Sequence, residues 1–142
     1  MVLDTNVLVA AARSGRGASA KLLSLLGGAP LGEAKFEICI SVPLVIEYEE
    51  VLLRHLKEGS QAQEDWSDIL DYICRIATKQ DVFFLWRPLL RDSKDDMVLE
   101  LAVAAGCDAI VTYNKRDFAG VDRFGLRVWE PKELLIEIGE LS

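Results

Sequence analysis

The sequence predicts an α/β fold, a three-layer α/β/α sandwich with a mainly parallel central sheet. Three observations carry that prediction. Short strand-like apolar runs alternate with helical stretches, the order that builds a parallel sheet covered on both faces. Polar and acidic residues follow several of these runs, where open α/β sheets place their ligands. The 142 residues, free of internal repeats, linkers and low-complexity tracts, suit one domain spanning 1–142 with its own core.

The elements follow in chain order. "MVL" is a short strand, and "TNVLVAAAR" turns at once to helical composition. "SGRGAS" is a turn, and "SAKLLSLL" carries a helical apolar stripe ended by Gly27 and Gly28. "FEICIS" reads as a strand. "SVPLVIEYEEVLLRHLKEG" is the clearest helix, with Ser41 as cap, Pro43 in the first turn and Gly59 as the stop. "AQEDWSDILDYICRIATK" is a second amphipathic helix inserted before the next strand, "VFFLW". "RPLLRDSKDD" is a loop whose end opens the helix "MVLELAVAAG", closed by Gly106. "CDAIVTYN" is a strand with a polar end, "LRVWEP" an outer strand and "KELLIEIGE" a final helix.

Composition narrows the chemistry. No apolar stretch reaches the roughly 20 residues of a membrane span, and the start lacks a secretory signal, so the expected location is cytoplasmic. Cys39, Cys74 and Cys107 are widely spaced and odd in number, which points to reduced core residues rather than a disulfide framework or metal knuckle. With 16 basic and 23 acidic residues the net charge is −7, unfavourable for a simple nucleic-acid coat. It leaves room for an acidic site whose bound cation reverses the local field. The single histidine, His55, gives histidine-based zinc sites and serine–histidine triads little to work with. Carboxylates are therefore the expected agents of any chemistry.

Asp4, Asp92, Asp95, Asp96, Asn114 and Asp117 fall at carboxyl ends of strands or on adjoining helix starts, so a parallel sheet gathers them on one edge. Glu47 lies on the helix after the second strand, on one face with Glu50 and Arg54. Carboxylates brought together in a partly dry crevice must bind protons or a cation. Oxygen-rich sites suit Mg²⁺ or Mn²⁺, and such an ion fits phosphodiester hydrolysis. Each residue also has a structural reading: Asp92, Ser93, Asp95 and Asp96 suit a helix start, Glu47 and Glu50 a solvated face, and Asp117 a turn. Asp4, beside an apolar strand, needs partners that Thr5 or Asn6 could supply.

"VLDTNVLVAA", "SVPLVIEYEEVLLR", "DSKDDMVLELAVAAGCDAIVTYNKRDF" and "VWEPKELL" resemble, in order and spacing, the PIN domain family, most closely the toxin branch of toxin–antitoxin systems. The resemblance runs over nearly the whole chain. It implies that Asp4 is the first metal-ligand aspartate, oriented by Thr5 and Asn6. Glu47, six positions after Ser41, matches the acidic residue on the helix after the second strand. "KDD" matches the third acidic motif, with Asp95 at the ligand position, Asp96 the alternative and Asp92 a neighbour. Thr112 fits the family's threonine, whereas Asn114 stands where many members have a fourth aspartate. Asp117 is the candidate to compensate, with one firm metal site and a weaker second one.

What the resemblance implies is a Mg²⁺- or Mn²⁺-dependent endoribonuclease acting on single-stranded RNA, the toxin partner of an antitoxin. It further implies a homodimer, for which residues 47–79 offer a face with Trp66 or Tyr72 exposed. Two rivals remain. One is a degenerate PIN domain used as a protein-binding module, favoured by Asn114 and the acidic charge. The other, a haloacid-dehalogenase-type phosphatase, needs a second aspartate two residues after Asp4, and that position is Asn6.

Overall fold

In the computed structural model, which describes residues 1–28, 36–82, 90 and 93–141, the chain opens with strand β1 (Val2–Leu3) and helix α1 (Thr5–Arg13). Helix α2 (Ala18–Gly28), strand β2 (Cys39–Ile40), helices α3 (Val42–His55) and α4 (Gln61–Ile76) and strand β3 (Thr78–Lys79) follow. The second half holds α5 (Ser93–Ala104), β4 (Ala109–Val111), 3₁₀ turns at Lys115–Phe118 and Val121–Phe124, β5 (Arg127–Trp129) and α6 (Pro131–Glu137).

All the described pairings are parallel. β4 lies between β1 and β5, in register Val2↔Ile110 and Ile110↔Val128, while β2 pairs with β3 through Cys39↔Thr78. The amide of Cys39 donates to the Met1 carbonyl at 2.9 Å, and the Met1 amine donates to Glu37 O at 2.7 Å. These bonds set the two ladders side by side in the order β3–β2–β1–β4–β5. Successive strand residues point to opposite faces, yet Val2, Leu3, Ala109, Ile110 and Val111 are all buried. Both faces of the central strands are therefore covered, which is the expected α/β/α arrangement.

The helices supply the cover through apolar stripes. α5 packs on β1, β2 and β4, with Val98, Leu99, Leu101 and Ala102 at helical spacing and all buried. It ends in a Schellman turn: Gly106 takes φ +66, its N–H donates to Val103 O, and Cys107 N–H reaches Ala102 O at 2.9 Å. α1 packs against α2 and α3, and α6 against α2 and β5. On α3 the stripe is Leu44, Tyr48, Leu52, all nearly inaccessible. Tyr48 needs a partner for its hydroxyl and finds one, donating to the Leu3 carbonyl at the end of β1.

Several boundaries differ from the sequence expectation. α3 stops at His55 because Leu56 turns extended (φ −115, ψ 145); Gly59, at φ +73, instead leads into Ser60, the cap of α4. Residues 78–79, expected as a helical tail, leave α4 at an extended Ala77 and pair with β2, Thr78 N donating to Ile38 O and Gln80 N to Ile40 O, each at 2.9 Å. In "FEICIS" the pairing is confined to Cys39 and Ile40, and Gly27 and Gly28 belong to α2 rather than following it. Trp66 and Tyr72 are half-buried, not exposed. They line an apolar groove of about 440 Å³ with Ala11, Leu23 and Ile69, and Tyr72 donates to Leu26 O at 3.2 Å. The strand expected at 82–86 lies, beyond Val82, outside the described residues, as does Asp92. No helix among the described residues is long and apolar enough to cross a membrane.

Ile110 is fully buried at the centre of β4, between β1 and β5. Ile110→Ala should lower unfolding stability by roughly 2–5 kcal/mol. Urea denaturation checks it: the midpoint should fall with an unchanged slope.

Candidate active site

β1 ends at Leu3, and the next residue is at once the last to pair and the first to cap. Asp4 N donates to Val111 O at 2.8 Å, extending the ladder to β4. The Asp4 backbone stays extended (φ −67, ψ 150), and Oδ1 accepts from Thr5 N at 2.8 Å, an N-cap for α1. Parallel pairing puts the end of β4 beside it, so Thr112 Oγ1 donates to Asp4 Oδ2 at 2.7 Å. Asn6 Nδ2 approaches the same oxygen at 3.3 Å.

The Thr112 hydroxyl is fully committed. It gives its one proton to Asp4 and accepts from Asn6 Nδ2 at 3.2 Å and from Asn114 N at 3.0 Å. Asn6 is oriented in turn, since its Oδ1 accepts from Tyr113 N at 3.2 Å. Thr5 faces the other way: its hydroxyl donates to Glu47 Oε2 at 2.6 Å. Thr5, Asn6 and Thr112 thus form one connected scaffold around Asp4 and Glu47.

Glu47 reaches this point because Ser41 starts α3 at the end of β2, its Oγ accepting from Leu44 N at 3.3 Å. The Tyr48 hydroxyl then fastens α3 to β1 one residue before Asp4. Glu50, on the same face in the sequence reading, is exposed. Lys94 Nζ lies 3.8 Å from Glu47 Oε1, which brings the first turn of α5, with half-buried Asp95, to the same edge. Asp96 is buried, and its Oδ1 accepts from Leu90 N at 2.9 Å. That bond gives Asp96 a structural task.

Asn114 and Asp117 sit on the far rim. Asn114 precedes the 3₁₀ turn at Lys115–Phe118, its carbonyl accepting from Asp117 N at 3.0 Å, with no side-chain capping bond. Both side chains are exposed. Asp117 is nevertheless close enough for its charge to be felt at Asp4. Burial pushes the Asp4 carboxyl above the ordinary aspartate range. Hydrogen bonds from Thr112 and Thr5 pull it back, and the charges of Glu47 and Asp117 push it up again. Burial, and then the charges of Asp4 and Glu47, also raise the Tyr48 phenol.

A buried carboxylate with two further carboxylates acting on it is the donor set a hard divalent cation takes. Among the described residues, no three His, Cys, Asp or Glu side chains are already drawn into a cation cage. The residues fit the ion in chemistry rather than as a finished cage, with Asp4, Glu47 and Asp117 sharing one edge and Asp95 next to it. Sequence reasoning missed Lys94 and Tyr48. A tyrosine within an otherwise leucine stripe was the available signal for Tyr48; nothing local marks Lys94.

A PIN domain family model matches residues 1–116. The chain belongs to the PIN domain family. Among solved structures, it resembles that of VapBC2 from Rickettsia felis bound to a DNA fragment from their promoter, with a TM-score of 0.56 and 19% identity. The match covers 91% of this chain and 98% of that one, and at that identity it speaks for the fold. No curated protein matches the sequence.

The raised Asp4 carboxyl has a defined effect on stability. The native state holds the proton more tightly than the unfolded chain, so the contribution is fully present below about pH 3.8, the ordinary aspartate value, and is lost as pH rises through the native value. In EDTA, the stability of Asp4→Asn relative to the parent should therefore climb with pH above 3.8. Paired thermal melts across pH 3–7.5 measure it, and a pH-independent difference would contradict the burial argument.

Proposed function

We propose that this PIN domain, taken as one unit over residues 1–142, is a Mg²⁺- or Mn²⁺-dependent endoribonuclease that hydrolyses phosphodiester bonds of single-stranded RNA. The observation that carries the reading is Asp4: a buried carboxylate at a strand end, oriented on both oxygens and under the charge of Glu47 and Asp117. Membership of a family of nucleases supports the same chemistry.

Asp4, Glu47 and Asp95 would hold the ion, with Asp117 on the rim. A bound divalent ion supplies charge for the phosphoryl oxygens and lowers the pKa of an attacking water. The chain's own residues do the rest. Thr112 and Asn6 fix the direction of Asp4 Oδ2, and Thr5 fixes Glu47. Lys94 places a cation beside Glu47 that a metal or a phosphate would meet on entry. Asn114 adds no charge, so the rim carboxylate available to complete the site is Asp117.

We further read the protein as the toxin of a toxin–antitoxin pair, a homodimer with an antitoxin partner, acting in the cytoplasm. The fold shared with VapBC2, a complex captured on its promoter DNA, supports that biological class. A small upstream reading frame encoding a DNA-binding protein would be its simplest check.

Asp4→Asn and Glu47→Gln should each lower Mn²⁺-dependent cleavage of a single-stranded oligoribonucleotide by roughly 100-fold or more, the scale of losing a group that stabilises developing charge. Melting temperature in EDTA, recorded alongside, separates this from unfolding. A protein that neither binds Mn²⁺ nor cleaves RNA would instead be the degenerate binding module.

Calorimetric Mn²⁺ titration tests the rim. Asp117→Asn should weaken binding about tenfold, and Asn114→Asp should strengthen it by adding a carboxylate to the cluster. No change in either variant would place residues 114–117 outside the metal site.

A further inference from the structure

Tyr113 follows Thr112 directly, yet its ring serves neither the core nor the carboxylates. It is 39% exposed. Its backbone N–H is held by Asn6 Oδ1 at 3.2 Å, and its hydroxyl shares a 2.6 Å hydrogen bond with Ser19 Oγ on α2. Ser19 is itself buried, at 1% exposure, so the anchor is fixed. The ring is thus pinned at its root and its tip while remaining open to solvent. Through Asn6, whose Nδ2 touches Asp4 Oδ2, it stands one side chain away from the buried carboxylate.

The charge of the molecule says what such a ring would be for. At −7 the protein repels a polyanionic strand at long range. The lysines flanking the site are engaged with carboxylates, Lys94 with Glu47 at 3.8 Å and Lys115 with Glu133 at 3.0 Å. Beyond the cation and Lys94 at the carboxylates themselves, a strand crossing this acidic surface gains from short-range contacts that do not depend on positive charge. Stacking of a base on an aromatic face is such a contact, and it tolerates any sequence because every base has a π-face. A ring already immobilised loses little freedom when a base covers it.

We propose that Tyr113 is the platform on which one nucleobase of the substrate strand stacks, adjacent to the phosphate being cleaved. This rests on the nuclease reading above and names a contact by which the single strand is gripped. The Ser19 hydroxyl acts as a positioning group that holds the ring in place.

The test uses a fluorescently labelled single-stranded oligoribonucleotide, with Ca²⁺ replacing Mn²⁺ so that binding is read by anisotropy without cleavage. Tyr113→Leu should weaken binding by roughly 5- to 150-fold, whereas Tyr113→Phe, which keeps the ring but loses its tie to Ser19, should fall between that variant and the parent. A series of oligonucleotides with one abasic position each supplies the readout that a structural role would not move. The parent protein should lose affinity at one abasic position, and Tyr113→Leu should be indifferent there. If Tyr113→Leu does not fold, the same abasic series on the parent and on Tyr113→Phe and Tyr113→Trp still decides, since all three keep a ring and should share the sensitive position. A parent that cleaves RNA but shows no sensitive position overturns the stacking platform and leaves the nuclease reading standing. Lost affinity in Tyr113→Leu with unchanged abasic sensitivity makes Tyr113 a strut between α2 and β4, and also overturns it. A parent that neither binds nor cleaves RNA overturns the nuclease reading and the platform together.

Discussion

The 2.7 Å hydrogen bond from Thr112 to Asp4 is the contact on which the rest of the site depends. It exists because β1 and β4 run parallel and end together, so that residues 108 positions apart in the chain emerge side by side. An antiparallel neighbour would have sent one of them to the opposite edge. From that one bond the hydroxyl's two remaining sites organise Asn6 and the backbone at Asn114, and through Asn6 the start of the Tyr113 segment. A sheet made of two- and three-residue strands can carry such a cluster because its central strands are buried on both faces and have little room to shift.

The same site holds an internal tension. Hydrogen bonds from Thr5, Asn6 and Thr112 favour an ionised Asp4, whereas burial and the charges of Glu47 and Asp117 disfavour it. Lys94 offers only partial relief, since its side chain is 64% exposed and its Nζ lies 3.8 Å from Glu47, a separation at which a solvated ion pair contributes little. Carboxylates under such opposing influences are relieved by a proton or by a hard cation.

Much of this was legible in the sequence, and the particular residues show why. Asp4, Thr5, Asn6 and Thr112 sit at element ends, where a switch from apolar to polar composition marks the position; Glu47 lies inside α3 and was marked only by its spacing from Ser41 in the family motif. Ser41 was recognisable as a cap because a proline and an apolar helix follow it. What escaped reading depended on distant partners. β3 is two exposed residues, Thr78 and Lys79, with no apolar pattern of their own, and only β2 beside them makes them a strand. The end of α3 was placed at Gly59 because glycine is a common stop, but the backbone turns earlier, at Leu56, and uses the glycine to enter α4. Trp66 and Tyr72 seemed exposed because α4 is strongly polar on one side, whereas α1 and α2 half-cover them. "KDD" offered two adjacent carboxylates, and the bond from Leu90 N to Asp96 depends on a chain segment that the motif does not mark.

Asp4 holds two offices at once. As the N-cap of α1 it accepts from Thr5 N, a role worth about 0.5–2 kcal/mol to a helix on its own. Glu47 carries no comparable burden, since its hydrogen bond comes from a side-chain hydroxyl that could turn elsewhere. A descendant of this chain released from any need for chemistry could therefore discard Glu47 or Asp117 freely, but would still require an acceptor at position 4 to begin its first helix. An aspartate found at that place in an idle relative would be a remnant of architecture, and the helix-borne glutamate would be the more informative sign of a working site.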